Sequence, residues 1–206
     1  MAGNLFTGKV PQMKKVTWPG ATQLAPLPVV LVGVADRVRK NLLTVAWTGI
    51  VCSTPPVLSI SVRKERFSHP MLTASREFTV NLPPAALAEK VDYCGVVSGR
   101  DVDKFAACGL TPEPAETVGA PLVAECPVNL ECRVKQILEL GSHDLFLADI
   151  LAVRADERLI DEKGRLKLET ADLLAYVHGH YHRVADAIGH FGFSIRRKPG
   201  AKTRVG

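Results

Sequence analysis

The sequence has no uninterrupted run of the ~20 apolar residues that a membrane-spanning helix needs. Its first 15 residues also lack the apolar stretch and the small-residue cleavage site of a secretory signal. We therefore expect a cytoplasmic protein that does not insert into a membrane. With 206 residues, 47% of them hydrophobic, the chain is long enough to bury the core of one globular domain.

Cysteine is scarce, and its spacing does not fit the usual cysteine sites. No two of Cys52, Cys94, Cys108, Cys126 and Cys132 form the C-x-x-C pair expected of a zinc or thioredoxin-like site. Three of them (Cys52, Cys126 and Cys132) fall in apolar stretches, where cysteine usually behaves as a small hydrophobic residue. Because disulfides are rare in reducing compartments, this distribution predicts reduced, structural thiols.

Acidic residues do not balance the basic ones, and the net charge is +5. The last segment accounts for all of this excess, through Arg196, Arg197, Lys198, Lys202 and Arg204. A protein that follows a phosphate backbone is expected to spread its basic residues over a folded face. We therefore predict a solvated basic tail over residues 194–206 and no binding to nucleic acid.

The familiar nucleotide-binding and hydrolase motifs are also missing. The sequence contains no G-x-G-x-x-G after a strand, no Walker loop, no G-x-S-x-G and no H-E-x-x-H. A phosphate-bearing ligand would therefore need another arrangement of residues.

The sequence does contain a series of short apolar segments at hairpin spacing. Strands are predicted over 28–35, 42–52, 57–62, 77–82, 128–140 and 143–153, with Gly141-Ser142 as a tight turn between the last two. Short helices are predicted over 68–75, with Ser68 as N-cap, and over 84–93, 101–108 and 181–188. An irregular arm is predicted over 1–25. Because the strands do not alternate with long helices, the pattern favours a mainly β, antiparallel, nearly closed barrel.

Three segments combine small polar groups or cations with the ends of these elements. They contain Asn41, Thr44, Ala46, Trp47 and Thr48; then Ser61, Arg63, Lys64, Ser68 and His69; then Ser98, Gly99, Arg100, Asp101 and Lys104. Hydroxyl and amide groups beside a strand, and cations before a helix N-terminus, suit a phosphate or the edge of a heteroaromatic ring. Taken singly, each segment also fits an ordinary strand, a solvated strand end or a capped surface turn.

Histidines form a fourth candidate group, with His143 after the tight turn and an H-x-H-x-H segment at 178–182. Three imidazoles on one strand face suggest metal ligands. No carboxylate or thiol lies at a diagnostic spacing from them, and Gly179 weakens a regular strand. We therefore predict no metal site, and solvated or cofactor-adjacent histidines.

In their order along the chain, these segments resemble the flavin reductase-like FMN-binding family, and its flavoredoxin branch in particular. The similarity is carried by P-V-V-L-V-G at 28–33, N-L-L-T-V-A-W-T-G at 41–49, P-P-V-L-S-I-S-V-R at 55–63, S-H at 68–69, E-F-T-V-N-L at 77–82, C-G-V-V-S-G-R-D-V-D-K-F at 94–105 and G-S-H-D-L-F at 141–146. The resemblance covers a domain over residues 26–193. It implies an FMN-binding split β-barrel of antiparallel Greek-key type, in a homodimer with one FMN per subunit near the interface.

The resemblance also implies roles for the candidate residues. Asn41, Thr44, Ala46, Trp47 and Thr48 should line the isoalloxazine and ribityl chain; Ser61, Arg63, Lys64, Ser68 and His69 should face the phosphate; and Asn81, Ser98, Gly99, Arg100, Asp101 and Lys104 should approach the other end of the flavin. His143 and the His180-Tyr181 stretch are candidates for the open face or the partner subunit. The implied activity is hydride transfer from NAD(P)H to FMN and onward to free flavin, iron or a redox partner, without a catalytic side chain. The alternative is a non-enzymatic electron carrier.

Overall fold

The structure is a computed structural model that describes residues 10–195. Its strands are β1 (Leu27–Pro28), β2 (Val30–Ala35), β3 (Lys40–Val45), β4 (Thr48–Ser53), β5 (Pro56–Arg63), β6 (Glu77–Leu82), β7 (Pro112–Glu113), β8 (Leu122–Val123), β9 (Val128–Glu139), β10 (His143–Ala155), β11 (Leu174–Val177) and β12 (His180–Arg183). Its α-helices are α1 (Ser68–Ser75), α2 (Ala88–Val96) and α3 (Lys104–Cys108), and single 3-10 turns lie at Ala85–Leu87, Glu157–Leu159 and Leu168–Thr170. The predicted mainly β chain with short helices is confirmed.

Seven strands form one antiparallel sheet in the order β3-β2-β6-β9-β10-β5-β4. The two end strands, β3 and β4, are joined by only two residues, Ala46 and Trp47. The sheet must therefore curl until its first and last strands lie close together. The backbone N–H of Ser61 on β5 donates to the carbonyl of Trp47 at 2.9 Å, which fixes this linker against β5. Among the described strands, β3 pairs only with β2, so its other edge is open.

Alternate residues of the strands pack on opposite sides of the curled sheet. Val30 and Val32 face the interior, where Ile60, Phe78 and Phe146 are fully buried. Burial of each such side chain contributes about 1.5–3 kcal/mol to folding. The intervening residues of β2 point outward, where helices α2 and α3 cover them in a second apolar cluster. Helix α2 is thereby held directly outside β3.

Several predicted boundaries are wrong. The predicted strand over 42–52 is two strands, because the chain turns at Ala46-Trp47. The first helix does begin at Ser68, but Phe67 occupies the N-cap position, and no side chain caps it. The third predicted helix starts only at Lys104, because the Asp103 carboxylate accepts hydrogen bonds from the N–H groups of the next turn.

The predicted helix over 181–188 is absent, and residues 180–183 are strand β12, paired antiparallel with β11. Tyr181 packs edge-on against Tyr176 of β11, with ring centroids 5.5 Å apart, and this contact favours the strand. Residues 196–206 of the predicted basic tail and residues 1–9 of the predicted arm lie outside the described residues. No helix within residues 10–195 is long and apolar enough to cross a membrane.

Candidate functional site

A cavity of about 330 Å³ opens along the free edge of β3, between β3, the end of β5 and helix α2. Its lining comes from seven parts of the chain: Val29; Leu43, Thr44, Val45, Ala46 and Trp47; Ser61, Val62, Arg63 and Arg66; Asp92, Gly95 and Val96; His143; Tyr176; and Tyr181. The cavity exists because β5 continues through residues 61–63, beyond the last residue that pairs with β4. The split between the two ends of the sheet is therefore a concave candidate site.

A second cavity of about 240 Å³ continues the first beneath the turn that follows α2. Its lining includes Asn41, Glu65, Phe67, Ser68, Val97, Ser98, Gly99 and Lys104. The two cavities share Leu43, Arg63, Arg66 and Val96, so they form one groove. The groove is within the range of roughly 300–1,000 Å³ typical of small-molecule sites.

Three cations lie in the wall of this groove. The guanidinium of Arg66 donates to the carbonyl of Gly95 at 2.9 Å, and that of Arg63 donates to Glu65 at 3.0 Å. Lys104 is only 2% exposed, and its Nζ donates to the carbonyls of Leu42 at 2.8 Å and Cys94 at 2.7 Å. Burial lowers the pKa of Lys104 to about 8, so the ammonium is still the main form at neutral pH. The groove is suited to an anionic ligand.

The polar donors of the wall are held in place by their neighbours. The Asn41 side chain donates from Nδ2 to the Ser68 hydroxyl at 2.8 Å. Gly99 lies against this amide, and a Cβ added there would be 2.2 Å from Asn41 Oδ1, so only glycine fits without a shift. Thr44 donates its hydroxyl to the carbonyl of Val91, which joins β3 to α2.

Aromatic rings border the open end of the groove. The rings of Trp47 and His143 lie 4.7 Å apart at an interplanar angle of 30°. Burial, together with the nearby Arg63, lowers the pKa of His143, so its imidazole is neutral at neutral pH. On the other side, the Tyr181 hydroxyl donates to Asp92 at 3.1 Å, and burial raises the pKa of this phenol to about 12. His143 and Tyr181 thus lie in the wall, whereas His180 is exposed and does not line it.

The groove brings together ten of the sixteen residues that the sequence suggested for a cofactor: Asn41, Thr44, Ala46, Trp47, Ser61, Arg63, Ser68, Ser98, Gly99 and Lys104. Six others do not line it: Thr48, Lys64, His69, Asn81, Arg100 and Asp101. The binding roles themselves remain predictions.

Lys64 and His69 belong to a separate charged cluster. The Lys64 ammonium lies 2.8 Å from a carboxylate oxygen of Glu139 and 3.3 Å from one of Asp144. His69 Nε2 lies 2.8 Å from the other oxygen of Asp144, and these partners hold the pKa of that carboxyl below its usual value. Strand β5 ends at Arg63, which lines the groove, whereas Lys64 lies in the turn that follows, where its ammonium contacts Glu139 and Asp144.

Asn81 has a different role, as the centre of a buried hydrogen-bond network. Its amide donates to the carbonyl of Leu31 at 2.9 Å and to the Thr79 hydroxyl at 3.1 Å. Its Oδ1 accepts from the backbone N–H of Val123 at 3.0 Å and from the Asn129 amide at 2.8 Å. With two donors and two acceptor sites filled, the Asn81 amide has no capacity left for a ligand.

The sequence did not indicate Arg66, Gly95, Val96 or Tyr176, all of which line the groove. Arg66 follows the cations at 63 and 64 and could have been found from that run. The other three come from helix α2 and strand β11, which reach the site only through packing. In the described part of the chain, no group of three or more His, Cys, Asp or Glu side chains is arranged to hold a metal ion.

Comparison with known proteins identifies the family and the fold. The family model described as flavin reductase like domain matches residues 22–185. Flavoredoxin of Desulfovibrio vulgaris (Miyazaki F) superposes with a TM-score of 0.83 at 32% sequence identity, covering 89% of this chain and 100% of that one. The FMN-binding protein from Thermus thermophilus superposes with a TM-score of 0.73 at 28% identity, covering 88% and 99%. FMN reductase (NADH) RutF of Stutzerimonas stutzeri (strain A1501) is 25% identical over 142 residues, which are 66% of this chain and 71% of that protein.

The matched segment extends over far more than half of the chain and includes both ends of the groove. The predicted family resemblance is confirmed, and so is the predicted split-barrel class, because the structure superposes on a flavoredoxin over nearly its whole described length. The chain belongs to the flavin reductase-like domain family.

Proposed function

We propose that the groove binds FMN and that the chain is an oxidoreductase, which accepts hydride from NADH or NADPH on the flavin and passes electrons to free flavin, iron or a redox partner. One observation carries the proposal. An apolar slot, fixed polar donors and three cations lie in a single groove at the free edge of β3. The named relatives support the same choice, since they include an FMN-binding protein and an FMN reductase that uses NADH.

The residues of the groove fit the parts of FMN. A phosphate needs charge-assisted donors, and the guanidinium groups of Arg63 and Arg66 would hold it. The flat isoalloxazine needs an apolar slot with hydrogen-bonding groups at one edge. Leu43, Val45 and Val96 offer the apolar surface.

Bound FMN would supply the two-electron chemistry, because it takes up hydride and releases electrons again. The contribution of the chain is to fix a cation where negative charge develops. Lys104 holds its proton at Nζ at neutral pH, and the carbonyls of Leu42 and Cys94 prevent the ammonium from moving. A preorganised cation favours an anionic, reduced ligand, so Lys104 should raise the affinity for reduced relative to oxidised flavin.

The adjacent rings of Trp47 and His143 would border the face of the flavin that the hydride donor approaches. A neutral imidazole beside an indole forms a flat, largely apolar surface, which suits the nicotinamide ring. We therefore propose that His143 positions the donor and takes no part in proton transfer.

A second copy of the chain is the partner that we propose. Strand β4 ends the seven-stranded sheet, and it exposes Ile50 (65%) and Val51 (55%). An apolar edge strand is a template for association with another chain, and proteins usually cover such an edge. Analytical ultracentrifugation should give twice the monomer mass. The double variant Ile50→Lys, Val51→Lys should shift the protein to monomer, and monomeric wild-type protein would contradict the proposal.

The test of the flavin site begins with the protein as purified. It should show the two-banded visible spectrum of oxidised flavin, and acid should release FMN and not FAD. Chain stripped of flavin should bind added FMN, measured by quenching of flavin fluorescence. A colourless protein that leaves the fluorescence of added FMN unchanged would overturn the proposal.

The alternative function is a non-enzymatic FMN electron carrier, and the similarity to a flavoredoxin favours it. Steady-state oxidation of NADH and NADPH, with free flavin as acceptor, distinguishes the two functions. An enzyme should oxidise at least one donor well above the rate without protein. A rate equal to that of the protein-free control, in a chain that binds FMN, would assign the carrier function.

A further inference from the structure

Two cysteines meet behind the wall of the groove. The sulfur of Cys94, in helix α2, lies 3.8 Å from that of Cys108, the last residue of helix α3. Both thiols are free; Cys94 is buried and Cys108 is partly exposed. The other cysteines, Cys52, Cys126 and Cys132, are also free.

The position of this pair suits a disulfide. A disulfide needs the sulfur atoms about 2.05 Å apart, so they must approach each other by roughly 2 Å. Side-chain rotation together with a small shift of α3 can supply this movement, because α3 has only five residues and ends at Gly109, which has a φ of 55°. Cys94 and Cys108 are 14 residues apart in sequence, so spacing alone gave no sign of this contact.

The pair is also joined to the groove through Cys94. The Cys94 carbonyl accepts the hydrogen bond from Lys104 Nζ at 2.7 Å, while its sulfur contacts Cys108. Lys104 and Cys108 are four residues apart in α3 and therefore lie on one face of that helix. The next two residues of α2, Gly95 and Val96, line the groove. A bond between the two sulfurs would thus fasten the helix that carries Lys104 to the helix that forms the wall.

We propose that Cys94 and Cys108 are a reversible, redox-sensitive dithiol, which hydrogen peroxide converts to a disulfide between α2 and α3. The Cys108 thiolate attacks one oxygen of the peroxide, the O–O bond breaks, and hydroxide leaves to give a sulfenic acid. The sulfur of Cys94 then attacks that of Cys108, the S–O bond breaks, and water leaves as Cys94 loses its proton. Two thiols and one peroxide become one disulfide and two waters. A dithiol reductant reverses the change by thiol–disulfide exchange.

The order of attack follows from exposure. Cys108 reaches solvent, whereas burial raises the pKa of Cys94 to about 12, which keeps it a thiol until its neighbour is oxidised. Cys94 is therefore the resolving residue. The contact between the two sulfurs is made by the chain itself, so the proposal does not depend on flavin binding.

The test is to treat the purified chain with a small excess of hydrogen peroxide, in the presence and absence of FMN, and to map its thiols by mass spectrometry. A double digest with trypsin and a glutamate-specific protease places each cysteine on its own peptide, with Cys94 in 91–100 and Cys108 in 105–116, because the bond between Glu113 and Pro114 resists cleavage. We expect a mass loss of about 2 Da and a linked pair of these two peptides, both reversed by dithiothreitol. The disulfide should also raise the midpoint of thermal unfolding by about 5 °C.

Three variants give matched controls. Cys108→Ser should form no disulfide within the chain, and Cys94→Ser should leave a Cys108 sulfenic acid that dimedone traps. Cys52→Ser, which removes an exposed thiol, should form the same linked peptides as the wild type. Separate, unlinked thiols at Cys94 and Cys108 after peroxide treatment, or a disulfide between any other pair, would overturn the proposal.

Discussion

Asn41 and Asn81 are both strand asparagines in the same sheet, and both are almost fully buried, with 2% and 0% exposure. Asn81 fills every donor and acceptor of its amide within the protein. Asn41 makes one side-chain hydrogen bond within the described chain, to Ser68, and borders the groove. Burial alone therefore does not separate a structural polar group from a candidate binding group, whereas unused hydrogen-bonding capacity marks the candidate.

The largest expected effect comes from breaking the saturated network. Asn81→Ala should lower the free energy of unfolding by about 3 kcal/mol, because it leaves the Val123 N–H and the Asn129 amide without their acceptor. Asn41→Ala should lower the free energy of unfolding by only about 1 kcal/mol, because it removes one hydrogen bond between uncharged groups. It should weaken FMN binding by about tenfold, because the Asn41 amide is lost and Ser68 is no longer held in position. Urea unfolding and FMN titration measure the two effects. Equal stability losses would remove the distinction between the two asparagines.

Lys104 is also buried and borders the groove, and its charge makes the cost of that burial measurable. Its pKa of about 8 in the folded chain is below the usual value of 10.5, so between these pH values the unfolded chain binds more protons. The free energy of unfolding of flavin-free protein should thus rise by about 2 kcal/mol between pH 7 and pH 10, relative to Lys104→Met. Parallel pH profiles for the two proteins would show that burial does not lower the pKa of Lys104.

Arg66 and Lys64 are cations two residues apart, and we expect a large effect on FMN binding from the first and a small one from the second. Arg66→Gln should weaken FMN binding by about tenfold, because a charge-assisted contact is worth roughly 1.5 kcal/mol or more. Lys64→Gln should change it less than about twofold, since a half-exposed ion pair contributes little. Flavin fluorescence titration measures both. The reverse order would place the phosphate beside the Asp144 cluster and not in the groove.

The smallest effect should come from the mouth of the groove. His143→Ala should raise the KM for the nicotinamide donor by about threefold, because one stacking surface is worth roughly 0.5–1.5 kcal/mol, and leave FMN affinity unchanged. His180→Ala, outside the groove, is the control. A fall in kcat that depends on pH, at constant KM, would instead assign His143 to proton transfer.

The sequence predicted the elements whose signals are local. The apolar strands, the Gly141-Ser142 turn and the polar groups at 41–48 and 98–104 are visible in the periodicity and in the order of short motifs. The sequence could not separate Arg63 from Lys64, because it does not show that strand β5 ends at Arg63 and that Lys64 lies in the turn beyond it.

The distant partners also escaped prediction. Tyr176, which the sequence did not indicate, reaches the groove only through packing of β11 on the helices, and the pairing of β11 with β12 excludes the predicted helix over 181–188. The contact of Cys94 with Cys108 depends on how α3 folds back on α2. Such contacts join segments that are separated in sequence, so no short sequence pattern predicts them.

The pairing of β5 with β10 sets when the groove can form. Arg63 is paired with His143, far along the chain, so this ladder is among the slower contacts to assemble. Before it forms, the two walls of the groove that carry Ser61 and His143 are not in place. FMN should therefore bind only the completed fold, slow unfolding in proportion to its affinity and leave the folding rate unchanged. Retention of the flavin would then determine how long each molecule stays folded.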